Sequence, residues 1–129
     1  MSEVNLLAIV LAAASTFVIG GVWYSALFAA PWQRAADVSD AQLATGAPRI
    51  FVGAAALSLV MAATLAPFIG TEGVVFGAAA GAAAGIGWVG CALGVVYLFE
   101  RRSLTLFAID AGYFAVAYPA MGAIIGALQ

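Results

Sequence analysis

The chain has 129 residues, 66% of them hydrophobic and only 8% charged, with a formal charge of −2 and neither histidine nor lysine. A soluble domain spends about a quarter of its residues on charge, so this composition excludes a water-soluble fold. It also excludes a nucleic-acid binder, which needs a basic surface, and it removes the commonest general base, the commonest metal ligand and any Schiff-base lysine.

Four apolar runs follow one another, at about 4–28, 50–69, 74–98 and 104–128, each 20 to 25 residues long. That length carries an α-helix across about 30 Å of hydrocarbon at 1.5 Å per residue. Together the runs contain one charged side chain, Asp110. The expected fold is therefore all-α, a single integral membrane bundle of four transmembrane helices with short loops. The first run differs from a signal peptide. Met1, Ser2 and Glu3 supply no positive n-region, and its 25 residues exceed the usual h-region of about 7–15. It is expected to be the first span.

Loop one, 29–49, is the longest polar segment. Pro31 is expected to close the first helix, and Trp32 to sit at headgroup level. Ser39-Asp40-Ala41-Gln42 matches a capping box, which predicts a short helix through Leu43 and Ala44 stopped near Gly46 and Pro48. Loop two is Gly70-Thr71-Glu72-Gly73, and loop three, 99–103, carries Glu100, Arg101 and Arg102. Such short connections make the last three helices sequential antiparallel neighbours. Arg34, Arg49, Arg101 and Arg102 all fall in loops one and three, on one side of the membrane. The positive-inside rule then puts these loops in the cytoplasm and both termini outside it.

Glycine spacing carries the packing signal. Gly77, Gly81 and Gly85 recur every four residues, as do Gly90 and Gly94 in the same helix and Gly122 and Gly126 in the last. In lipid, helices associate through the close backbone approach that small residues permit. The two glycine sets of the third helix fall on different stripes of a regular α-helix, which predicts packing on two sides. One face then serves the bundle, and another is free to meet a second protomer. Pro119 is expected to kink the last helix, and Cys91 is read as a small buried thiol.

Asp110 lies six residues into the fourth run, about 9 Å deep at 1.5 Å per residue. A membrane-embedded aspartate costs about 2.5–3.5 kcal/mol at the helix centre, so it calls for a partner. Counted inward from the same side, Trp23, Tyr24 and Ser25 of the first helix lie in the same slab, with Ser58, Cys91 and the shallower Tyr97. On its own helix Asp110 shares a face with Tyr113 and Ala117. The candidate ligand or proton site is thus Asp110, Tyr113, Tyr24, Ser25 and Trp23. The simplest account is a hydrogen-bond network in which Tyr24 or Ser25 donates to Asp110. The alternatives are a ligand, ion or proton site on the same network, and pairing with a loop arginine.

The segments Gly21-Val22-Trp23-Tyr24-Ser25, with Phe28 and Trp32, and Phe99-Glu100-Arg101-Arg102, through Leu106-Phe107-Ala108-Ile109-Asp110-Ala111-Gly112-Tyr113 to Met121-Gly122-Ala123-Ile124, give the chain a likeness over essentially its whole length. It resembles the small four-span bacterial membrane proteins grouped as domain of unknown function 1761. The resemblance implies a four-helix integral membrane fold with no established activity, and it supplies no catalytic residues.

Three functions compete. The first is a structural or accessory component of the bacterial inner membrane, whose partners are the lipid bilayer and either copies of itself, as a homo-oligomer, or a larger membrane complex. The second is a small carrier or channel with Asp110 handling protons, cations or a small ligand. The third, an enzyme, would have to work without the usual catalytic residue types and is not expected; neither is a cofactor or a metal.

Overall fold

The chain turns back on itself at Phe28, three residues before the proline expected to end its first helix. The structure is a computed structural model that describes residues 5–129; the expected start of the first span at Val4 lies outside them. Its helices are α1 (Leu6–Leu27), α2 (Ala29–Ala36), α3 (Asp40–Leu43), α4 (Ala47–Ile69), α5 (Val74–Glu100) and α6 (Leu104–Leu128). α1, α4, α5 and α6 are each long and apolar enough to cross a membrane.

Local chemistry accounts for the boundaries. Asn5 caps α1 by accepting from the Ala8 amide at 3.2 Å, and Ser103 caps α6 by accepting from Leu106 at 3.1 Å. The capping box of α3 forms in full, with Ser39 and Gln42 bonded reciprocally. Pro31 does not close α1. It sits in the first turn of α2, where a missing N–H costs no helical bond. Pro48 likewise opens α4, so that span begins three residues earlier than the expected 50, after Gly46 in the left-handed conformation (φ 75°). α6 runs through Pro119 without a break in the helix.

α6 is the axis of the bundle and touches α1, α2, α4 and α5. Away from the arginine-bearing loops the core is closed. Ala8 and Ala12 of α1, Ala62 and Ala66 of α4, and Ile125 of α6 are fully buried. Gln129 seals that end, donating to the carbonyls of Ala66 (3.3 Å) and Gly70 (2.9 Å) and accepting from the Asn5 amide (3.1 Å). These bonds satisfy carbonyls that the last turn of α4 cannot pair internally.

The glycines of α5 all face α6. A Cβ on Gly77 would overlap the carbonyl of Gly122, one on Gly81 that of Tyr118, and one on Gly85 would lie 2.6 Å from that of Phe114. Gly94 meets the Phe107 ring, and Gly90 lies opposite Ala111. The expectation that α5 packs on two sides through its glycines is therefore corrected, and the cause is local. Residues Ala83–Gly90 are π-helical. The i→i+5 turn takes up one extra residue, so the five-residue step from Gly85 to Gly90 returns to the stripe that the four-residue steps define. Cys91 is also corrected: it is exposed on the outer surface.

Candidate functional site

Both oxygens of the Asp110 carboxyl are engaged, each by a tyrosine from a different helix. Tyr24 of α1 donates to Oδ1 at 2.7 Å, and Tyr97 of α5 donates to Oδ2 at 2.6 Å. One side chain of α6 thereby ties three spans together. Such short bonds are what a charged acceptor with hydroxyl donors produces. Among the described residues the one ion pair is Arg102–Glu100 at 2.7 Å, so Asp110 is held by phenols and not by an arginine.

The first helix reaches the site through a second π-helical stretch, Val22–Leu27. Widening the turn lets two consecutive aromatics both work on α6. Trp23 donates its indole N–H to the Ile109 carbonyl at 2.9 Å. Its ring lies 3.0 Å from where a Cβ on Gly112 would be, so a glycine is required there for the indole to lie flat. Tyr24, the next residue, reaches Asp110. Phe28 packs on Trp23 with ring centroids 5.0 Å apart, and Trp32 of α2 packs edge-on against Tyr24 at 5.7 Å. The turn at Phe28 thus folds α2 back as an aromatic cover over the cluster.

The other expected members separate. Tyr113 stacks on Tyr24 at 5.4 Å, but its hydroxyl donates to the Thr16 carbonyl at 2.9 Å, one step deeper. Ser25 is exposed and does not bond Asp110; of the two expected donors from α1, the acceptor takes Tyr24. Ser58 is buried, 3.1 Å from the Thr16 hydroxyl, and belongs to that deeper layer.

Tyr97 is the partner that counting placed too shallow. It stands five residues before Arg102 and Asp110 eight after, an offset of three residues or about 4.5 Å along the axis. A tyrosine spans that distance, and the short turn into α6 puts the two on facing helices. The Arg102 guanidinium lies 5.8 Å over the Tyr97 ring, bracing it from the loop.

Fold and cluster together define an all-α, multi-pass membrane protein. The chain belongs to the family described as protein of unknown function (DUF1761), whose model matches residues 7–126. No curated protein and no solved structure matches it.

Proposed function

We propose that the chain is an accessory component of the bacterial inner membrane, acting through helix packing and self-association or as a subunit of a larger membrane complex. In this reading it performs no catalysis. Loops one and three lie in the cytoplasm and both termini outside. Asp110 is a structural clasp that fixes the rotation of α1 and α5 against α6.

The observation that carries the reading is the full satisfaction of the carboxyl by two tyrosines from two helices. A group meant to release a proton or a cation across the membrane needs an open side. Beyond Asp110, toward the termini, α5 and α6 meet backbone to backbone at Gly77 and Gly122. The surrounding core residues Ile69, Met121 and Ile125 are fully buried. That weighs against a pathway through a single copy of the chain.

Self-association has its own support. Ala83, Gly87 and Cys91 of α5 are exposed, four residues apart, and a Cβ on Gly87 would meet nothing within 4 Å. A face of small residues is suited to close helix contact in lipid. Mild oxidation of native membranes tests this through Cys91. A disulfide-linked species whose yield falls in a Gly87→Leu variant is expected. A monomeric particle mass in mild detergent, with no cross-link, would refute the oligomer.

A further inference from the structure

Between α1 and the first half of α4 lies a cleft of about 420 Å³, floored by Tyr113 of α6. Its volume is in the range of small-molecule sites, about 300–1,000 Å³. The inner half of α4 leaves this space because its buried residues begin only at Ser58. Phe17, Tyr24, Phe51 and Tyr113 line it, and no basic side chain does.

The hydroxyl protons around the cleft point into the protein. Tyr24 gives its proton to Asp110, Tyr113 to the Thr16 carbonyl, and Thr16 to the Ala13 carbonyl at 2.6 Å. A hydroxyl has one proton and two lone pairs, so these three oxygens have only lone pairs left to offer a guest. The Asp110 carboxyl stands directly behind Tyr24. A site with aromatic walls, oxygen lone pairs and a carboxyl behind one wall has a negative potential. It offers a metal ion no coordinating set, since no group of three or more His, Cys, Asp or Glu occurs among the described residues. Aromatic walls of this kind attract organic cations through the ring quadrupole.

We propose that the α1–α4 cleft binds a hydrophobic organic cation, a quaternary or protonated amine bearing apolar substituents. The apolar groups displace lipid from Phe17, Phe51 and the flat surface at Gly21, while the charge is stabilised by Tyr24, Tyr113 and the carboxyl behind them. The guest needs no hydrogen-bonding groups of its own.

Two probes of one shape and opposite charge test this: tetraphenylphosphonium and tetraphenylborate. Each is titrated into the full chain in nanodiscs of neutral phosphatidylcholine, with binding to empty nanodiscs subtracted. Saturable binding of one phosphonium per chain is expected, about tenfold or more tighter than that of the borate. Gly21→Leu fills the cleft where a Cβ meets nothing within 4 Å, so it should fold normally and lose the phosphonium site. Asp110→Asn should weaken binding by about tenfold. Equal binding of the two ions would overturn the proposal, as would phosphonium binding unchanged by Gly21→Leu; both readings stand even if Asp110→Asn fails to fold.

Discussion

A methyl group added to Gly122 would overlap the backbone carbonyl of Gly77, and one added to Gly77 would overlap that of Gly122. The two helices touch through main chain, so neither position can yield by rotating a side chain. Gly122→Ala should destabilise the protein by about 1–3 kcal/mol, the usual cost of overfilling a packed interface, and Gly81→Leu or Gly85→Leu should cost more. Gly53→Ala, where a Cβ meets nothing within 4 Å, should stay within about 0.5 kcal/mol of the parent. Thermal melts in one detergent decide it, and equal melting of Gly122→Ala and Gly53→Ala would refute the close contact.

The carboxyl clasp separates shape from charge. Asp110→Asn keeps a carbonyl oxygen to accept from one tyrosine, and it should fold. Asp110→Leu strands the hydroxyls of Tyr24 and Tyr97 and should cost about 1–3 kcal/mol for each one left unpaired. Tyr24→Phe and Tyr97→Phe remove donors of one acceptor, so their effects should be non-additive by about 0.5 kcal/mol or more in a double-mutant cycle. Strict additivity would mean that the two bonds do not share the carboxyl.

The π-helical stretch of α5 makes a prediction about chain length. Deleting Gly87, which is exposed, removes the extra residue and lets the segment return to α-helix. Everything after it then rotates by about 100° about the axis, carrying Gly90, Gly94 and Tyr97 away from α6. The deletion should therefore destabilise more than Tyr97→Phe does in the same thermal melt. A deletion variant as stable as the parent would show that the widened turn sets no register.

The arginine distribution predicts topology. In a Cys91→Ala background, Ser39→Cys of loop one and Thr71→Cys of loop two should behave oppositely toward an impermeant thiol reagent on intact spheroplasts. Thr71→Cys should label and Ser39→Cys should not. The reverse pattern would turn the assignment over.

How far the sequence reached differs by level. Hydropathy and run length defined the four spans to within about three residues. The capping motif at Ser39 was visible because its chemistry is local, and helix four was correctly suspected of needing a polar partner at Asp110. The site was half legible. Depth counting gathered Tyr24 and Asp110 into one slab, yet it could not choose between Tyr24 and Ser25, which are adjacent in the chain and point in different directions.

Four membrane-spanning helices follow from the sequence alone, because an uncharged run of this length in lipid must pair its backbone internally, and a helix does that within one segment. Rotation about each helix axis has no such local determinant. It depends on which small residues meet which backbone, and on one extra residue absorbed in each π-helical turn of α1 and α5. An i→i+5 turn leaves no mark in composition or hydropathy. Only the tertiary structure could bring Gly90 and Gly94 back onto the face of Gly77, Gly81 and Gly85, and set Tyr97 against Asp110.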